Sequence, residues 1–253
     1  PMEAAESSLE EYPFDKKDPI IIQNILGPTK DFAFCSIPKN GCSRWRRFLR
    51  RVQGVKNYMS YPHNSYRNGL HYSEDFPPDL FDENKETPLI RIATVRDPLA
   101  RLLSAWMEKI LSGDRLPTAC SNQQRAVNNF TEFVSCLEDT KVEACSWDEH
   151  WAPQTCQCHM RTMRYDLLLP VERVGEWTKP LMACLGLEKF TKNFTANGQE
   201  FGSEQSKAGG SARTGASKKV CSYYTAETFA RARALYPNDL LFSTWDWSDC
   251  VDG

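Results

Sequence analysis

Phe32-Ala-Phe-Cys-Ser-Ile37-Pro-Lys39-Asn-Gly41-Cys-Ser43-Arg-Trp45-Arg-Arg-Phe48-Leu49-Arg-Arg-Val52 is the stretch on which the reading of this chain turns. It opens with an apolar run, Phe32 to Ile37, of strand length. Pro38 ends the run, because proline has no N–H to give to a sheet ladder. Asn40 and Gly41 are turn formers, and a glycine lets backbone approach a ligand closely. Trp45, Phe48, Leu49 and Val52 then recur at i, i+3, i+4 and i+7, one apolar stripe of a helix. Ser43 stands at the expected N-cap. A strand feeding a small-residue loop into a helix start presents backbone N–H groups and the positive end of the helix dipole. Lys39 adds a full charge there. Two readings fit: an anion site, or an ordinary strand–turn–helix with a surface lysine. The phosphate loop of nucleoside triphosphatases is a different pattern, with Gly-Lys-Ser/Thr closing a longer glycine-rich loop. Here the lysine precedes the glycine.

The pattern repeats. Leu89 to Val95 reads as a strand and runs into Arg96-Asp97-Pro98, with Asp97 as N-cap and Pro98 at the first helical position. Leu99, Leu102, Leu103, Trp106, Ile110 and Leu111 continue as a helical stripe that stops near Gly113. Two such units imply parallel strands with crossover helices, hence an α/β sheet. Ligands of such sheets bind beyond the carboxyl ends of the strands, which places Lys39 and Arg96 on one edge. A third strand is expected at Tyr165 to Leu169. A helix follows over Glu172 to Leu185, weakened by Gly175 and Pro180, and a last helix over Ala226 to Tyr236.

Outside these units the chain is irregular. Residues 1–17 read as an acidic, loosely held arm, and Pro19 to Leu26 as an extra strand or a packed entry segment. The segment from Asn57 to Glu86 is rich in Tyr, Pro, Asn and Asp and carries His63 and His71. It is read as part of a substrate cleft, with a disordered surface loop as the alternative. Residues 195–219 are rich in Gly, Ser and Lys and read as a flexible basic loop. The division expected is an N-terminal arm and entry segment over 1–31, followed by a single domain over 32–253.

Length and composition bound the function. The chain has 253 residues, enough for one large α/β domain, with 25% charged and 41% apolar residues. A formal net charge of −2 argues against a dedicated nucleic-acid binder. No apolar run is long enough to span a membrane. The sequence starts at Pro1, so an N-terminal membrane anchor upstream is an expectation. Ten cysteines and the sequons Asn129-Phe130-Thr131 and Asn193-Phe194-Thr195 favour an oxidising lumen, disulfides and glycosylation. A reduced cytosolic chain is the alternative.

The pair Ile37-Pro-Lys39-Asn-Gly41-Cys-Ser43-Arg-Trp45 and Val95-Arg96-Asp97-Pro98-Leu-Ala-Arg101-Leu-Leu-Ser104-Ala105 resembles the two signature segments of sulfotransferases that use 3′-phosphoadenosine 5′-phosphosulfate (PAPS). The likeness is greatest to the Golgi carbohydrate sulfotransferases that include the chondroitin and dermatan 4-O-sulfotransferases. It continues through Asp148-Glu149-His150-Trp151, the neighbouring Cys156 and Cys158, Tyr165-Asp166, Ser211-Ala212-Arg213-Thr214, and Leu235-Tyr236 with Asp239-Leu-Leu-Phe242. Arg44 departs from the family, which usually has Asn there, and the acceptor segment between the two motifs is short and blurred.

This resemblance implies an α/β parallel-sheet sulfotransferase fold, related to the phosphate-loop kinases, with helices on both faces. It implies a donor site in which Lys39, Asn40, Gly41, Cys42, Ser43 and Arg44 hold the 5′-phosphosulfate. Arg96 and Ser104 then hold the 3′-phosphate, with Ser211 and Arg213 in a late donor loop. Lys39 is placed to stabilise charge on the leaving oxygen during in-line transfer. The acceptor hydroxyl needs a base, for which His71 is the first candidate and His150 and Glu149 the alternatives. Trp151 is a candidate to stack on a sugar, and residues 207–219 are a candidate lid. No metal is expected, because the Cys-x-Cys-His run lacks a second cysteine pair. The product would be 3′-phosphoadenosine 5′-phosphate (PAP), and the setting the Golgi lumen. The acceptor would be a carbohydrate. The other readings are a sulfotransferase acting on a small hydroxylated molecule, and a non-catalytic donor- or glycan-binding module.

Overall fold

In the computed structural model of the protein, the described residues are 24–28, 31–63, 68–72, 89–113, 128–140, 142–196, 199–200 and 215–243. The arm over 1–17, the segment from 73 to 88, Ser211, Arg213, Trp245 and Trp247 lie outside them. In chain order the elements are β1 (Asn24–Leu26), β2 (Phe32–Cys35), α1 (Cys42–Val52), β3 (Ile90–Val95) and α2 (Pro98–Ala105). These are followed by α3 (Phe130–Asp139), β4 (Leu167–Pro170), α4 (Val174–Cys184) and the short α5 (Glu188–Thr191). A two-stranded hairpin, β5 (Thr195–Ala196) and β6 (Gln199–Glu200), precedes α6 (Ala216–Tyr223) and α7 (Ala226–Ala234).

The main sheet has the order β1-β2-β3-β4. β2, β3 and β4 are mutually parallel, and β1 is an antiparallel edge. Phe34 pairs with Ile92 and Cys35 with Ala93, so β2 and β3 run in register and deliver their following loops to one edge. The expected α/β class with two parallel strand–loop–helix units is therefore what the chain adopts. The entry segment before Leu26 supplies the antiparallel edge.

The stripe of α1 docks on the sheet. Trp45 stacks on Trp177 of α4 at 5.7 Å and meets Phe34 at 4.7 Å, while Phe48 packs edge-on against Phe194. Burying such side chains contributes roughly 2–3 kcal/mol each, which fixes the helix start and the loop before it. On the other face, Cys35, Ile37 and Ala93 pack with Cys158, Met160 and Tyr165. A second core joins α2, α3, α6, α7 and the turn after it through Leu99, Leu103, Phe133, Val220, Ala232 and Tyr236.

Two helices differ from the expected pattern. The stripe beginning at Leu99 is α-helical only to Ala105 and then winds as a π-helix over Trp106–Ile110. Pro180 lies inside α4 rather than ending it. Part of the expected basic loop is also ordered, because residues 216–219 open α6. The cysteines act as staples. Cys35 is bonded to Cys158 across 123 residues, and Cys145 to Cys156 across 11. Cys136 and Cys221 are disulfide-bonded as well. No helix among the described residues is long and apolar enough to cross a membrane.

Candidate active site

The loop from Ile37 to Gly41 turns through two left-handed residues, Lys39 (φ 72°) and Gly41 (φ 78°). The N-cap of α1 is Gly41, not Ser43, and it offers no side-chain cap. Ser43 falls within the first turn instead. A side-chain cap works from extended backbone, and the left-handed turn at Gly41 removes that geometry. The first N–H groups of α1 are thus left without a capping side chain, at the positive end of the helix. A Cβ on Gly41 would meet nothing nearer than Trp45 Cδ1 at 3.9 Å, so backbone conformation rather than space calls for the glycine.

Arg96 follows β3 and reaches this loop. Its Nη1 donates to Lys39 O at 3.0 Å, and its Nη2 to Ser217 Oγ, in the first turn of α6, at 2.9 Å. Nε lies 3.9 Å from Glu172 Oε1 and has no hydrogen-bond partner among the described residues. Arg96 is 6% exposed. α6 also starts at a left-handed glycine, Gly215 (φ 63°), without a side-chain cap. Two uncapped helix starts are therefore tied to one guanidinium. Ser104 is buried on α2, two turns past Asp97.

Several expected donor residues serve the scaffold instead of facing outward. Asn40 is fully buried, and its Nδ2 donates to Thr94 O at 2.8 Å and to Gln154 Oε1 at 2.7 Å. Cys42 is a partly buried free thiol. Arg44 is 7% exposed and Arg50 is 3% exposed, so the first helix does not carry a uniformly solvated basic face. Arg50 donates to Asn57 O, Tyr58 O and Ser60 O and holds the following loop. Trp151, the candidate sugar platform, is buried against Phe133 at 5.8 Å and cannot stack on a ligand.

The three base candidates separate. His71 is exposed beside β1, where its carbonyl accepts from Leu26 N at 2.9 Å. Leu26 pairs with Ala33, toward the start of β2, whereas Lys39 lies beyond the other end. The structure does not bring His71 to the loop, because ladder pairing of the edge strand sets its place. His150 is held between two carboxylates. Its Nδ1 is 2.6 Å from Asp148 Oδ1, and its Nε2 is 4.0 Å from Glu149 Oε1. Glu149 is the more exposed of that pair, and its carbonyl accepts from Arg101 Nη2 at 2.9 Å.

Four further groups at the site were given no role by the sequence. His63 Nε2 lies 2.8 Å from Ser43 Oγ in the loop. Burial, with repulsion from Arg46, His150, Lys109 and Arg47, pushes its pKa down to about 4, so the imidazole is neutral at physiological pH. Glu108, on the π-helical turn, is the ion-pair partner of Lys39. Gln154 is fully buried, and its Oε1 accepts from Asn40 Nδ2 and from Arg96 N, while its Nε2 donates to Arg96 O at 2.8 Å. Arg101, 1% exposed, donates to Pro38 O, Ala152 O and Glu149 O. Gln154 and Arg101 lock the loop, β3 and the block from 148 to 156 into one unit. Of these four, His63 was visible in outline as one of two histidines in the cleft segment, and Arg101 as part of the second signature segment.

Comparison with known proteins identifies the family. The sequence pattern of the sulfotransferase family matches residues 23–242. Among curated proteins, the chain is similar to carbohydrate sulfotransferase 14 of Danio rerio, 28% identical over 61% of this chain and 46% of that protein. It is similar to carbohydrate sulfotransferase 9 of Homo sapiens, 26% identical over 63% of this chain and 40% of that protein. With carbohydrate sulfotransferase 11 of Rattus norvegicus the identity is 25%, over 66% of this chain and 54% of the relative. The chain thus spans about half the length of the curated relatives it matches. No solved structure matches it. With a family match that covers nearly all of the described fold, from β1 to the end of the second core, the chain belongs to the sulfotransferase family.

Proposed function

We propose that this protein transfers a sulfuryl group from PAPS to a hydroxyl of a carbohydrate. The observation that carries the reading is Lys39, buried in a left-handed turn at an uncapped helix start and bonded through its carbonyl to Arg96. The names of the relatives supply the acceptor class. A donor with two anionic ends suits two uncapped helix starts joined by an arginine. The loop over 39–43 takes the 5′-phosphosulfate. Arg96 and Ser104 take the 3′-phosphate. Arg96 Nε, which makes no hydrogen bond among the described residues and lies 3.9 Å from Glu172 Oε1, is a buried donor suited to such an anion.

Transfer runs in line. The acceptor oxygen forms a bond to sulfur as the bond from sulfur to the bridging oxygen breaks, and the electron pair leaves on PAP. Lys39 stabilises that leaving oxygen, a role worth roughly 10²–10³ in rate. His150 is the base. Asp148 accepts the Nδ1 proton and leaves the Nε2 lone pair to take the proton of the acceptor hydroxyl. Glu149 lies close enough to support the imidazolium that results. The disulfides Cys35–Cys158 and Cys145–Cys156 fit an oxidising compartment such as the Golgi lumen.

The test is transfer of label from sulfur-labelled PAPS to a panel of glycans and small hydroxylated compounds. Labelling of glycans alone is expected, with His150→Ala reducing turnover about 10²-fold or more and His71→Ala leaving it near wild type. Labelling of small hydroxylated compounds alone would move the acceptor class. PAP binding without any transfer would make the protein a binding module.

A further inference from the structure

Lys39 does not stand in its loop as an open cation. Its side chain is 5% exposed, and its Nζ is paired with Oε2 of Glu108, which lies 69 residues away in sequence. Burial pulls the ammonium pKa below the ordinary lysine value, and Glu108 is the chief group that opposes this. Glu108 belongs to the π-helical turn Trp106–Ile110, and such turns are rare and recur at functional sites. Its other oxygen, Oε1, lies 3.8 Å from Lys109 Nζ. The Glu108 side chain keeps 23% of its surface exposed, so the carboxylate has room to move. It stands between two ammonium groups, one in the donor loop and one on its own helical turn.

We propose that Glu108 is a positioning residue that holds Lys39 in the empty site and hands it to the donor, its carboxylate passing to Lys109 when the anionic 5′ end arrives. The proposal rests on the sulfotransferase reading. A carboxylate and a phosphosulfate cannot both occupy the contact surface of one buried ammonium, because the two anions repel strongly where water is excluded. Lys109 keeps the displaced carboxylate paired, which avoids an uncompensated buried charge. No covalent bond changes in the exchange. A permanent structural ion pair and an exchanged one differ in sign. Neutralising Glu108 in a structural pair loosens the loop and weakens donor binding. Neutralising it in an exchanged pair removes a competitor, so donor binding tightens while turnover falls, since Lys39 is no longer aimed.

The experiment measures PAP binding by calorimetry and steady-state transfer from PAPS for the wild type, Glu108→Gln, Lys39→Ala and the double variant. Glu108→Gln is expected to bind PAP about tenfold more tightly, the scale of one competing charge-assisted contact, and to lose about tenfold in kcat. Lys39→Ala leaves Glu108 facing the anion and binds PAP poorly. Adding Glu108→Gln to it is expected to restore about tenfold in affinity. The double variant leaves neither charge stranded, so it keeps the test open if Glu108→Gln alone folds badly. PAP affinity in Glu108→Gln no tighter than wild type, or in the double variant no tighter than Lys39→Ala, overturns the proposal. A wild type that transfers sulfate while Glu108→Gln matches it in every constant overturns only the role of Glu108. A wild type that neither binds PAP nor transfers sulfate overturns the sulfotransferase reading itself.

Discussion

Two strand–loop–helix units lie side by side in this molecule, and they begin their helices in opposite ways. After β3, Asp97 caps α2 from extended backbone, and its Oδ1 accepts from Leu99 N at 3.0 Å and Ala100 N at 2.9 Å. Its Oδ2 accepts from Ser243 Oγ at 2.8 Å. That helix start is closed and fully buried. After β2, Gly41 takes the N-cap of α1 in a left-handed conformation and contributes no side chain. That start is open. The same topology thus gives one helix start capped by its own aspartate and one that meets no capping side chain, where Arg44 N and Trp45 N fold back on Gly41 O. The second unit is scaffold at its helix start, and it reaches the first through Arg96, which donates to Lys39 O, and Arg101, which donates to Pro38 O.

The contrast breaks most sharply at Lys39. Lys39→Ala is expected to cut sulfuryl transfer by about 10²-fold or more, with the circular dichroism spectrum and the melting temperature close to wild type. The opposite pattern is expected at the closed start. Asp97→Ala removes a cap and strands buried donors, which costs about 2–3 kcal/mol of stability in denaturant unfolding. Turnover per folded molecule should stay within about threefold, because Asp97 acts on the site at second hand, through Arg96 and the seating of α2. If both variants lost activity equally at unchanged stability, the two units would share the chemistry and the contrast would fail.

How much of this was legible in the sequence follows the same divide. Asp97 as N-cap and Pro98 at the first helical position could be read directly, because a closed start is made by local side chains. The open start was misread at Ser43, because a left-handed N-cap leaves no residue-type signal beyond a glycine. The parallel pairing of β2 with β3 was legible from two repeated units, and with it the placing of Lys39 and Arg96 on one edge. What stayed hidden depends on long-range contact. Glu108 meets Lys39, and Gln154 meets Asn40 and Arg96, across sequence distances that no periodicity encodes. His71 and His63 sat in the same irregular segment, and only ladder pairing of the edge strand sends one away while Ser43 draws the other in.

His63 sharpens the contrast through pH. Its pKa in the fold, about 4, lies below the ordinary value of 6.5, chiefly through desolvation of the ring and then through Arg46 and the other basic side chains around it. The folded state therefore holds a neutral ring where the unfolded chain would bind a proton. Stability from this group is fully present above pH 6.5 and is lost as pH falls toward 4. Denaturant unfolding across that window should show a steeper fall for wild type than for His63→Gln, whose side chain keeps polar groups near Ser43 without titrating. Equal slopes would mean that the ring is solvated and that the open start has no histidine neighbour in solution.

The smallest expected effect falls on the glycine itself. Gly41→Ala keeps every backbone N–H and meets no close atom, since Trp45 Cδ1 is 3.9 Å from the added carbon. The cost comes from holding a side chain at φ 78°, about 1–2 kcal/mol. A ligand that binds only the folded state offsets such a loss by mass action, by about 2.7 kcal/mol at a hundred times its dissociation constant. Saturating PAP should therefore lift the melting temperature of Gly41→Ala past that of the ligand-free wild type. Asp97→Ala tests the alternative, because its defect lies at a closed helix start that the donor does not fill. Under the same PAP it should rise in parallel and remain below the liganded wild type by its full original deficit. If alanine at 41 instead widens its deficit when PAP is added, the left-handed turn is needed for binding as well as for folding. The open start would then be a shaped site, and not merely an uncapped one.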